Sequence, residues 1–204
     1  MAIDPNASPG PYSIPPKRRT PRLASLAIVL LFLALLVPIF FSSSGGYGQE
    51  RAYRVKCVSN LRQLCLFCTM YANDHTGQFP DDLSDLIRQE PTLGISNTLI
   101  CPSSTDTLPG PTTQDVLTNL HQPGHCSYIY LGKGLTLKSP GNAIVFYEPL
   151  ANHDHDKSLE PGMNVVCVDG HAQWITKLES TRVLDQIATG QHPVCLPDGI
   201  LRSH

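Results

Sequence analysis

The chain has 204 residues, a formal net charge of −2 and 16% charged residues, so no basic face announces nucleic acid and no acidic tract announces a cationic partner. Eighteen prolines and fifteen glycines point to a loop-rich protein. With a Pro-rich leader and an apolar run set aside, about 155 residues remain, enough for one core but not two.

Residues 1–22 read as a disordered leader, rich in proline and ending in the cations Lys17, Arg18, Arg19 and Arg22. The next nineteen residues, Leu23 to Phe41, carry no charge. A helix of that length rises by roughly 28 Å and matches a hydrocarbon core of about 30 Å, so a transmembrane helix over 23–41 is expected. The cations before it predict a cytoplasmic N-terminus, a bacterial cytoplasmic-membrane location, lipid bilayer as a partner and a periplasmic or extracytoplasmic C-terminal domain. A signal peptide cleaved near Ser42, Ser43 and Ser44 competes with this anchor, although its apolar region would normally span only about 7 to 15 residues.

Residues 42–48, Ser-Ser-Ser-Gly-Gly-Tyr-Gly, read as a flexible linker before a domain over 49–190. From Gln49 to about Asn73 the residues Val58, Leu61, Leu64, Cys65, Cys68, Tyr71 and Ala72 recur at steps of three and four. They predict an amphipathic helix with Arg51, Arg54, Lys56 and Arg62 mainly off the stripe. Gly77 suits the left-handed position after such a helix. A second short helix is expected over Leu83 to Glu90, capped by Asp81 or Asp82. Residues 91–124 read as loop with a short helix from Thr113 to Leu120.

Strands are expected at Ser127–Leu131, Ala143–Tyr147, Asn164–Val168 and His171–Ile175, each short, β-branched or aromatic, and bounded by turn formers. Asp169-Gly170 matches a two-residue type I′ hairpin turn. That pairing sets Cys167 opposite Ala172 and Val165 opposite Trp174 on one face, with Trp174, the only tryptophan, as core anchor. A final helix from about Leu178 to Ala188 and a tail over 191–204 complete an α+β chain in which a stem helix packs on a small antiparallel sheet.

Several phrases resemble a bacterial prepilin-like family, the prepilin-type processing-associated H-X9-DG domain. They are Cys57-Val58-Ser59-Asn60-Leu61, Met70-Tyr71-Ala72-Asn73-Asp74, Gln78-Phe79-Pro80, Cys101-Pro102-Ser103, Ser127-Tyr128, and Asn164-Val165-Val166-Cys167-Val168-Asp169-Gly170-His171. The resemblance covers roughly residues 51–176. It implies a pilin-like or pseudopilin-like, non-enzymatic structural subunit, with other pilin-like subunits or secretion components as partners. The His that names the family maps to His155, because Leu159 holds the expected position and residues 157–162 form a lengthened loop. The cleavage Gly and the Glu of a pilin start are missing between Arg22 and Ala27, which argues against prepilin processing. Cys57 and Cys101 each stand at a family element, and a disulfide between them is expected.

The sequence offers one cluster of potential ligands, His153-Asp154-His155-Asp156 together with Glu148, Asp169 and His171. It makes a membrane-tethered module that holds a divalent metal or a partner the alternative function, with His153, His155, Asp169 and His171 as candidate ligands. No other cofactor is implied. Cys65 and Cys68 lie mid-helix and away from a helix N-terminus, so they read as core thiols. No hydrolase or phosphate-loop signature is present, and no catalytic residue is assigned.

Overall fold

The computed structural model describes residues 26, 28, 30–32, 46–89, 91, 94–154, 159–197 and 200. It divides into a unit over residues 1–43 and a unit over residues 44–204. In the first unit, Leu26, Ile28, Leu30, Leu31 and Phe32 are helical and exposed. The rest of the expected span lies outside the described residues. Among the described residues no helix is long and apolar enough to cross a membrane, so the expected transmembrane helix is not shown. Among the described residues the longest helix carries Glu50, Arg51, Arg54, Lys56 and Arg62, and Asp74 at its end.

That helix, α1 (Gly46–Asp74), starts three residues inside the stretch expected as linker. Of the expected stripe, Leu61, Leu64, Cys65, Cys68 and Ala72 are buried and Val58 and Tyr71 half-buried, and Cys57 joins them at helical spacing. The helix ends where the Gly77 N–H returns to the Ala72 carbonyl at 2.7 Å with Gly77 at φ 85°. Arg54 departs from expectation: its guanidinium lies 3.8 Å from the Trp174 ring centroid and its side chain is only 14% exposed. A charge turned inward here is stabilised by the aromatic face, an interaction worth up to about 2 kcal/mol when desolvated.

Helix α2 (Leu83–Gln89) is capped by Asp82, whose Oδ1 accepts the Ser84 N–H at 2.7 Å. A 3₁₀ turn follows at Ile95–Thr98. Helix α3 (Thr113–Asn119) carries a reciprocal cap between Thr112 and Asp115, which satisfies two N-terminal donors at once.

Four strands follow: β1 (Ile129–Tyr130), β2 (Ile144–Tyr147), β3 (Gly162–Cys167) and β4 (Ala172–Thr176). They form an antiparallel meander in the order β1-β2-β3-β4. Helix α1 packs on one face of the sheet, and helix α4 (Lys177–Ala188) packs on β3 and β4. Val166 and Ala172 join the α1 core, whereas Met163, Val165, Cys167 and Ile175 join Val183 of α4 in a second core.

The β3–β4 register differs by one residue from the expected one. Asn164 faces Trp174 and Val166 faces Ala172. The loop holds three residues rather than two: the Gly170 N–H bonds to the Cys167 carbonyl and the Cys167 N–H to the His171 carbonyl, both at 2.9 Å. Gly170 takes φ 80°, as in a type I turn closed by a left-handed residue. A one-residue slip exchanges the faces of a strand. Cys167 and Val165 therefore turn away from α1, and Asn164 turns toward it. Trp174 is half-buried against Arg54 rather than central in a core.

Described residues of the expected tail pack instead. Val194, Leu196 and Ile200 are buried, and the Leu196 N–H bonds to the Asn142 carbonyl at 3.0 Å.

Candidate metal centre

Four separated segments bring ligand-type side chains to one point. Cys57 comes from α1 and Cys101 from the loop after the 3₁₀ turn. Glu148 directly follows β2, and His153 closes a second 3₁₀ turn, Leu150–His153. One potential ligand atom from each lies within 4.8 Å of the others, and all four residues are buried. The Cys57 and Cys101 sulfurs are 2.7 Å apart. His153 Nε2 lies 3.5 Å from Cys101 Sγ and 3.2 Å from Glu148 Oε2.

Each group is held from outside the cluster. His153 Nδ1 donates to Glu50 Oε1 at 2.5 Å, which points Nε2 at the sulfurs. Glu50 in turn accepts from Ser103 Oγ at 2.6 Å. Glu148 Oε1 accepts both the Asn164 backbone N–H at 2.8 Å and Asn164 Nδ2 at 2.6 Å, leaving Oε2 for the cluster. Cys101 is fixed through its N–H, which donates to Ser127 Oγ at 2.9 Å. Asn60 Nδ2 bridges the Ile100 carbonyl at 3.1 Å and Tyr128 Oη at 3.2 Å, and the Trp174 ring meets the His153 ring edge-on at 5.6 Å. Such outer partners orient ligating imidazoles and carboxylates at metal sites.

The electrostatics suit thiolate chemistry. The contact with Cys57 draws the Cys101 thiol below its usual value, against its burial and with help from His153. Cys57 is pushed far up, chiefly because of that contact and because it is buried. Burial alone would lower His153, but its bonds to Cys101 and Glu148 raise it to about 10. Arg54 Nε stands 3.5 Å from Glu50 Oε1, yet Nε and Nη2 make no hydrogen bond among the described residues.

Of the four ligands expected from the sequence, His153 belongs to this cluster, and Asp169 and His171 do not. His155 lies outside the described residues. Asp169 Oδ1 accepts the His171 N–H at 2.8 Å within the hairpin loop, and His171 Nε2 lies 2.9 Å from Gln173 Oε1. These two residues serve the turn and strand β4. Cys57 and Cys101 do meet as expected, but as free cysteines. Cys65 and Cys68 are buried in the α1 stripe, and burial pushes Cys65 up to about 11 and Cys68 well above its usual value. Glu50 was not legible as a site residue, although its spacing of four and seven from Arg54 and Cys57 puts all three on one helix face.

The scattered phrases that carried the family resemblance converge here, since Cys57, Cys101, Ser103, Ser127, Tyr128 and Asn164 all line or support the cluster. The chain matches no family model, no curated protein and no solved structure.

Proposed function

We propose that this chain is a non-enzymatic α+β module in which a buried zinc ion, held by Cys57, Cys101, Glu148 and His153, fastens the long helix to the sheet. The observation that carries this reading is the gathering of two thiols, an imidazole and a carboxylate within 4.8 Å, all buried. Two thiolates, one imidazole and one carboxylate suit tetrahedral zinc better than calcium or magnesium, which prefer oxygen alone. Four protein ligands away from solvent fill a tetrahedral shell, which favours a structural ion over a catalytic one that needs an open position. The Glu50–His153 bond supports the same assignment, because a metal-bound imidazole usually donates its other N–H to a carboxylate.

A pilin-like subunit role is compatible with this reading. A long helix followed by an antiparallel meander supports it, with the ion bracing stem against sheet. The test is elemental analysis of chain purified with a thiol reductant, followed by competition with a chromophoric chelator. About one zinc per chain is expected, and Cys101→Ser should bind it at least about 100-fold more weakly. Chain that carries no zinc after reduction and zinc addition overturns the proposal.

A further inference from the structure

The metal centre contains a second chemistry that a purely structural ion would not use. Two sulfurs bound to one tetrahedral zinc at about 2.3 Å stand about 3.8 Å apart, and two sulfurs in a disulfide stand about 2.05 Å apart. The Cys57 and Cys101 sulfurs are direct neighbours in the cluster, so the same pair can serve as two zinc ligands or close into a disulfide. The two states exclude each other, because a disulfide sulfur is no longer a thiolate ligand.

We infer that the centre is a redox switch in which a small peroxide oxidises Cys57 and Cys101 to a disulfide and releases the zinc. The inference rests on the zinc reading above. One thiolate attacks the peroxide O–O bond and becomes a sulfenic acid, expelling hydroxide. The second thiolate then attacks that sulfur, forming the S–S bond and expelling a second hydroxide. Two electrons pass from the sulfurs to peroxide, two solvent protons convert the hydroxides to water, and Zn²⁺ leaves unreduced. Both cysteines are fully buried, so a small oxidant admitted by local opening fits the site and a bulky disulfide does not.

Two features let the fold survive the exchange. Either link, ion or disulfide, joins α1 to the Cys-Pro-Ser loop across the same 44-residue separation. The remaining ligands also keep partners without the metal, Glu148 through Asn164 and His153 through Glu50.

The experiment treats reduced, zinc-loaded full-length chain with hydrogen peroxide or with glutathione disulfide, reads released zinc with a chromophoric chelator, and maps disulfides by non-reducing peptide mass spectrometry. Peroxide should release one zinc for each two thiols lost, give a Cys57–Cys101 peptide, and leave a chain that regains zinc after reduction, while glutathione disulfide should act far more slowly. Cys126→Ser, at a half-buried cysteine outside the centre, should behave as the parent. Zinc retained while other cysteines oxidise overturns the inference and leaves the metal reading standing, as does zinc released with the bridge formed elsewhere. Reduced chain that binds no zinc at the outset overturns both.

Discussion

Glu50 shows how a residue outside the ligand set decides what the ligands do. Its carboxylate takes the Nδ1–H of His153 and the hydroxyl of Ser103, which fixes the imidazole with Nε2 toward the sulfurs. Glu50→Gln keeps the shape and an acceptor but removes the charge. Zinc affinity should fall about 10- to 100-fold with the fold retained, read by chelator competition beside far-UV circular dichroism; unchanged affinity would remove Glu50 from the centre. A second prediction concerns Cys65, whose burial lifts its thiol from 9.0 to about 11. The unfolded chain loses this proton near 9 and the folded chain only near 11, so the contribution is complete below that window and is lost as pH rises through it. Urea midpoints at pH 8 and pH 11 should show Cys65→Ala losing about 2 kcal/mol less than the parent over that interval. Parallel losses would contradict the assignment.

At the scale of elements, the β3–β4 hairpin governs the site, and its register was the least legible feature in the sequence. Asp169-Gly170 suits both a two-residue and a three-residue loop, and the choice lies in which residue takes the left-handed conformation. Gly170 takes it after a type I turn, the strands shift by one, and Asn164 comes round to hold Glu148. Patterns that depend only on neighbours along the chain were legible: the α1 stripe, the Asp82 cap of α2, the place of α3. Gly162 shows how tightly the hairpin is packed, for an added Cβ would lie 2.2 Å from the Ile175 carbonyl oxygen and 2.7 Å from the Trp174 ring. Gly162→Ala should therefore cost about 2 kcal/mol of stability and weaken zinc binding by displacing Trp174 from Arg54 and His153. An unchanged urea midpoint would show that the strands absorb the methyl without strain.

For the molecule as a whole, the centre ties together segments that share no local pattern. Cys57 and Cys101 stood out only through the family phrases, Glu148 and His153 only as part of an acidic, histidine-bearing loop, and nothing along the chain joined the two pairs. Convergence over such separations is a property of the fold, not of spacing. The apolar run over 23–41 was the most conspicuous feature of the sequence, yet the helix that organises the described structure is the charged α1. Because the ion binds only the folded arrangement, zinc at 100 times its dissociation constant should add about 2.7 kcal/mol to stability, and chelator should remove that increment from the parent while leaving Cys101→Ser unaffected. Equal chelator sensitivity in both would place the metal elsewhere.

The central claim is the composition of the metal shell, and zinc K-edge X-ray absorption on reduced full-length chain reads it directly. The account predicts two sulfur scatterers at about 2.3 Å and two nitrogen or oxygen scatterers at about 2.0 to 2.1 Å, one with the outer-shell signature of imidazole. A shell without sulfur, or with four sulfurs drawn from the other cysteines, would contradict it.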